Sequence, residues 1–239
     1  MFRARRLSFM FILIVSGAFI WGCAPSTLPK DDLNRLCQSQ KITAVHYPPR
    51  LTFAFFPEEG LKGEAIGRYF GPIGLISGGL SDLKGAQELG GKFVVSYGLE
   101  DPVIPVKLKT IALLQKDGRI PHIRTFDAMM PDEDAEQLQK TVAGEYALVF
   151  KTYTWMLSHY SKYPGHYIEA YRAQSQLVRL TDGKVLWSGE CRTKQRDVKK
   201  ALTLIELTAD QGALVKSIFQ EHADACAEEL AAQILGTAP

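Results

Sequence analysis

Two long strand-like segments and a third that returns beside them constrain this chain more than any other feature. Tyr146 to Leu157 (YALVFKTYTWML) and Tyr167 to Leu180 are rich in β-branched and aromatic residues and read as long strands. Val185 to Cys191 (VLWSGEC) reads as a third. Thr181-Asp182-Gly183-Lys184 joins the last two, and Asp-Gly tolerates the positive φ that a tight antiparallel hairpin demands. A helix follows that can cover this sheet. Thr208 and Gln211 have the spacing of a capping box, which places the helix start at Thr208. Leu214, Ile218, Cys226, Leu230 and Ile234 then share one face, with His222 in the same row, and Gly236 ends it. The expected fold is α/β: a mixed sheet with an antiparallel carboxyl-terminal hairpin, helices packed on it and a long last helix.

The preceding residues fit that class. Ile42 to Tyr47 and Leu51 to Phe56 read as strands broken by Pro48-Pro49, and Lys92 to Tyr97 (KFVVSY) reads as another. Val106 to Gln115, ahead of Gly118, has helical spacing, and Asp132 to Val142 reads as a surface helix with an acidic first turn. Ile120 to Phe126 is a short strand. Ala201 to Leu207 is a short helical piece. Residues 60–91 stand apart, holding ten of the twenty glycines around an apolar core that includes Tyr69, Phe70, Ile73, Leu75 and Ile76. Such a segment is a poor strand or helix interior. Either it touches a membrane or a partner through its small-residue spacings, or it is an apolar loop folded on the protein's own core. It contains no phosphate-cradling glycine motif.

The amino terminus carries Arg3, Arg5 and Arg6, then an apolar run from Leu7 to Trp21, too short for a comfortable membrane span and typical of an export signal. It ends Ile20-Trp21-Gly22-Cys23, which resembles the lipobox of bacterial lipoproteins. The resemblance implies removal of residues 1–22, a diacylglycerol on the Cys23 thiol and an acylated (palmitate-type) new amino terminus, so that membrane lipid is the first partner. Ala24 after the cysteine, rather than Asp, implies the outer membrane facing the periplasm. Residues 23–40 then read as a lipidated tether, beginning with the proline-containing stretch APSTLPKDD, and 41–239 as a single periplasmic domain with the glycine-rich insert at 60–91.

Without residues 1–22 the chain keeps 25 basic and 26 acidic side chains, and this balance argues against nucleic-acid binding. Three cysteines remain besides Cys23. In an oxidising compartment Cys191, at a strand end, and Cys226, in the last helix, form the favoured disulfide, with Cys37 left over. The rival arrangement is a metal held by Cys191, His222 and Cys226, with only three visible ligands.

Residues 146–191 and the last helix are similar to a family of uncharacterised proteobacterial lipoproteins, through YALVF, QLVRLTDGKVLWSGEC and HADACAEEL. The strand, Asp-Gly-Lys and Val-Leu-Trp pattern also resembles lipoproteins like the curli-secretion pore protein and the amino-terminal domain of the translocation protein TolB. That likeness implies an α/β domain with a mixed sheet in the cell envelope; it transfers no function.

No catalytic motif is present: the five histidines are scattered, and there is no G-x-S-x-G. Asp127, Asp132, Glu133 and Asp134 fit a solvated helix start. The loop from His159 to Tyr167, with Tyr160, Tyr163 and Tyr167, is either an interaction surface or a loop of packed rings. The expectation is a non-enzymatic, membrane-anchored envelope lipoprotein without cofactor, which binds or assembles with envelope proteins in a secretion or transport type of complex. The alternatives are a carrier for an apolar or lipid ligand, and a cell-wall or glycan hydrolase whose carboxylate pair only the fold would reveal.

Overall fold

The computed structural model describes residues 28–39, 41–50, 52–57, 79–131, 135–160, 162–194 and 201–237. The strands are β1 (Ile42–His46), β2 (Ala54–Phe56), β3 (Ile123–Met129), β4 (Tyr146–His159), β5 (His166–Arg179), β6 (Lys184–Lys194) and β7 (Leu202–Thr203). The helices are α1 (Lys30–Gln38), α2 (Gly79–Tyr97), α3 (Val103–Asp117), α4 (Ala135–Thr141) and α5 (Leu204–Leu235). All seven strands form one mixed sheet with the order β3-β1-β4-β5-β6. β1 lies parallel between β3 and the first half of β4, and β2 continues parallel along the second half of β4. β4, β5 and β6 are antiparallel, and β7 caps the start of β5. The α/β class expected from the sequence is the fold adopted.

Alternation decides what each face buries. Leu148 and Phe150 of β4, Tyr171, Ala173 and Leu177 of β5, and Trp187 and Cys191 of β6 share the main core under α3 and α5. A bulge between Thr152 and Thr154 shifts the parity of β4, so that Trp155 and Leu157 also enter this core. On the opposite face Val149 and Val178 pack with Leu138 and Val142 at α4. Further along, Met156 and Ala170 pack with Ala86 of α2.

Several expectations are corrected. Lys92 to Tyr97 is no strand but the last turns of α2. Its Phe-Val-Val run is locally strand-like, yet Ala86, Phe93 and Tyr97 recur at helical spacing and pack toward the sheet. Gly90 lies in that row because α2 presses on β2 there: a Cβ at Gly90 would sit 1.9 Å from the Phe53 carbonyl oxygen. Residues 79–91 are therefore helix interior despite their glycines; Tyr69, Phe70, Ile73, Leu75 and Ile76 lie outside the described residues.

The capping box is not Thr208/Gln211. Thr203 caps α5: Glu206 N–H donates to Thr203 Oγ1 at 3.3 Å, and Thr203 N–H donates to Glu206 Oε2 at 2.8 Å. Thr208 instead donates back to the Leu204 carbonyl at 2.7 Å, and the chain leaves helical geometry from Ala209 to Gly212. This kink resets the helix phase. Beyond it Val215, Phe219 and Ala223 face the core, Leu214 is 38% exposed and Ile218 half-buried, while Cys226, Leu230 and Ile234 are buried.

The expected tether over 23–40 is folded from Leu28 onward. Leu28 and the α1 residue Leu36 are buried beside Ile42, Leu148, Leu177 and Ile234, because this end of the sheet would otherwise leave its apolar face open.

Candidate functional site

The bulge in β4 is the root of a cleft. The turn joining α2 to α3 passes over Thr152, whose hydroxyl donates to Asp101 Oδ1 at 2.6 Å and lies 3.1 Å from the fully buried Tyr171 hydroxyl. The same Oδ1 accepts the Val103 N–H at 3.0 Å at the start of α3. Burial pushes the Asp101 carboxyl up, opposed by these two donors, and its Oδ2 is sealed without a partner among the described residues. Asp101 thereby fixes the entry of α3 over the bulge.

Beside this turn lies a cleft of about 320 Å³, between Gly98, Leu99, Pro102 and Pro105 on one side and Lys216, Phe219 and Gln220 of α5 on the other. Phe219 is braced by Trp155 at 5.9 Å and Phe53 at 5.7 Å between ring centroids. The α5 kink lies one turn before Lys216. Asp210 and Gln211 hold φ of 48° and 57°, unusual for residues with side chains, and Gly212 packs on the Tyr97 ring. A cleft of this size, with an aromatic floor and an ammonium and amide at its rim, suits a small ligand or an inserted side chain.

A second buried polar group was not visible in the sequence. Lys107 of α3 is 3% exposed, with Nζ 3.2 Å from His46 Nδ1 and donating to the Phe126 carbonyl at 3.1 Å. Burial lowers the Lys107 pKa, Asp127 opposing; burial and the Lys107 charge lower that of His46. The only hint was that Lys107 falls within the apolar Val103, Val106, Ile111 and Leu114 pattern.

Of the residues singled out from sequence, Cys191 and Cys226 are joined as a disulfide with Cα atoms 5.2 Å apart, and Cys37 is a free thiol. The rival metal arrangement is not adopted, since the two sulfurs bond each other. Tyr160 and Tyr163 stack at 5.6 Å in the β4–β5 turn, with Tyr163 48% exposed. Tyr167 does not join them as a surface residue. It falls on the covered face of β5, is 5% exposed and stacks on Phe55 at 5.7 Å. Cys23 lies outside the described residues. Among the described residues no helix is long and apolar enough to cross a membrane.

No family model matches the chain, and no curated protein matches it. Among solved structures, it is similar to the PelC dodecamer from Paraburkholderia phytofirmans, at 12% identity and a TM-score of 0.32, over 88% of this chain and 93% of that one. Protein XCC0632 from Xanthomonas campestris, of family DUF330, gives 10% identity and 0.40, over 80% and 81%. Lipoprotein GNA1162 from Neisseria meningitidis gives 14% and 0.30, over 77% and 99%.

Proposed function

We propose that this chain is an exported lipoprotein of the cell envelope, held by acyl chains on Cys23, whose domain binds or assembles with other envelope proteins and catalyses no reaction. The observation that carries the reading is the run Ile20-Trp21-Gly22-Cys23 behind an arginine-led apolar segment. The Cys191–Cys226 disulfide supports an oxidising compartment, and Ala24 supports the outer membrane. Two or more acyl chains give the stable anchoring that one chain does not. Leu28 is buried in the domain, five residues after Cys23, so the domain stands close to its anchor. Native mass spectrometry of the protein extracted from its own membranes tests this. The expected result is a chain starting at Cys23, carrying acyl mass, with further subunits or a second protein attached. A chain that still contains Arg3 overturns the anchor, and a lone lipidated monomer overturns the assembly role.

The cleft beside Phe219 favours a second reading, a carrier for a small apolar ligand. Co-purification of one stoichiometric lipid or other apolar small molecule, lost in Phe219→Asp, is its expected signature.

A further inference from the structure

The cleft beside Phe219 carries an unpaired charge on each wall. Glu100 lines it from the α2–α3 turn and Lys216 from α5, and both are exposed. Neither meets a side chain of opposite charge among the described residues. The charged neighbours are engaged elsewhere. Asp101 Oδ1 accepts from Thr152 and Val103, and its Oδ2 is sealed. Lys109, further along α3, pairs with Asp224 at 3.3 Å and Glu228 at 3.1 Å. Helix ends account for only part of the two charges. The chain leaves α2 through Gly98, at a φ of 59°, and Lys216 Nζ lies 3.9 Å from where a Cβ on Gly98 would sit. Its ammonium is therefore near the carbonyl end of a helix that has no basic residue in its last turn. Glu100 precedes the amino end of α3, whose first turn has no acidic residue. Each helix end carries only about half an elementary charge.

Two donors and an apolar floor complete the cleft. Lys216 and Gln220 are one helical turn apart on α5 and both line it. Gln220 donates one amide N–H to Asp224 Oδ1 at 3.1 Å and keeps the other. Phe219 and Leu99, 4% and 7% exposed, supply the floor together with Pro102 and Pro105. The volume of about 320 Å³ stands at the low end for small-molecule sites, which run from roughly 300 Å³ upward. It suits a molecule with one apolar side group between two charges, smaller than a lipid.

We propose that the cleft binds a free apolar α-amino acid. Lys216 and the Gln220 amide take its carboxylate, Glu100 takes its ammonium, and its side chain lies on Phe219. The inference rests on the second reading above, that this cleft holds a small apolar ligand, and names the class of that ligand. Opposite charges on opposite walls match a zwitterion. A simple anion or cation would face one wall of its own sign, which selects against it.

The test uses the full chain in detergent, with L-4-fluorophenylalanine as the probe and its fluorine NMR line followed during titration. Saturable broadening is expected, reversed by competing L-leucine. Acetylating the probe removes its ammonium, and amidating it removes its carboxylate. Each change should weaken binding about ten-fold, the loss of one charge-assisted hydrogen bond. Variants and derivatives are then combined. Lys216→Met should weaken the parent probe about ten-fold and its amide less than two-fold. Glu100→Gln should weaken the parent probe about ten-fold and its acetyl derivative less than two-fold. Both side chains are exposed, so unchanged melting temperatures verify the fold. A variant that weakens every ligand alike, or no saturable binding of the probe, overturns the inference. Equal binding of the probe and of its doubly blocked, uncharged derivative also overturns it, but leaves the cleft as an apolar-ligand site where Phe219→Asp abolishes that binding. Binding that survives Phe219→Asp lies elsewhere and overturns both.

Discussion

The Cα of Cys226 on α5 sits 5.2 Å from the Cα of Cys191 on β6, and the bond between them fastens the last helix to the far strand of the sheet. Nearby, Gln233 reinforces the same contact by donating to the Glu190 carbonyl at 2.9 Å. The bond closes a sequence separation of 35 residues. In the chain-entropy account such a loop contributes about 3–4 kcal/mol by restricting the unfolded chain. Replacing both cysteines by serine should lower unfolding stability by that amount, read as a lower urea midpoint under oxidising conditions. An unchanged midpoint would show that the helix is held by its apolar stripe alone.

Gly90 and Gly91 are adjacent in α2 but face opposite consequences. A Cβ at Gly90 meets the Phe53 carbonyl oxygen at 1.9 Å and its carbon at 2.7 Å, backbone atoms that cannot rotate away. At Gly91 a Cβ meets nothing within 4 Å. Gly90→Ala should destabilise by about 1–3 kcal/mol through forced separation of α2 from β2. Gly91→Ala should stabilise by up to about 1 kcal/mol through helix propensity. Thermal melts of the two variants check the signs; equal shifts would mean that α2 does not press on β2 at this point.

The start of α5 provides a test of where its cap lies. Thr203→Ala removes the hydroxyl that accepts the Glu206 N–H and donates to Glu206 Oε2, leaving only the backbone half of the box, and should cost about 1 kcal/mol. Thr208→Ala removes one bond back to its own helix, a type that stabilises little, and should cost less than half as much. Denaturant melts that rank the two the other way would return the cap to Thr208.

The parts legible in the sequence are those decided locally. The β5–β6 hairpin was readable because alternation and Asp182-Gly183 sit within a few residues of each other, and Gly183 takes the positive φ of 67° that such a turn needs. The lower stripe of α5, from Cys226 to Ile234, was readable for the same reason. What failed was decided by contacts distant in sequence. Phe93-Val94-Val95 has local strand character, and the helix is favoured by the packing of Ala86, Phe93 and Tyr97 toward the sheet, with Gly90 allowing the close approach to Phe53. The α5 kink is built from residues that carry no breaker signal before Gly212. The cluster around Asp101 joins it to Thr152, 51 positions on, across a bulge that alternation alone does not announce.

Two titratable side chains, the buried Glu169 of β5 and the partly buried His222 of α5, pull stability in opposite directions with pH. Glu169 is 1% exposed, its Oε1 has no partner among the described residues, and burial pushes its pKa from 4.5 up to about 7, against a small opposing contribution from its own backbone. His222 has a sealed Nε2, and burial pushes its pKa from 6.5 down to about 4. For Glu169 the folded state keeps a proton that the unfolded chain has released, so stability falls as pH rises from 4.5 to 7. For His222 the folded state refuses a proton that the unfolded chain accepts, so stability rises as pH rises from 4 to 6.5. Each slope reaches about 1.4 kcal/mol per pH unit, and between pH 4.5 and 6.5 the two cancel. Single substitutions should expose them. Glu169→Gln should leave a protein whose urea midpoint climbs with pH across this window, and His222→Leu one whose midpoint declines. The double variant should return to the flat profile of the parent. Parallel profiles for the two single variants would show that at least one of these side chains reaches water in the folded protein.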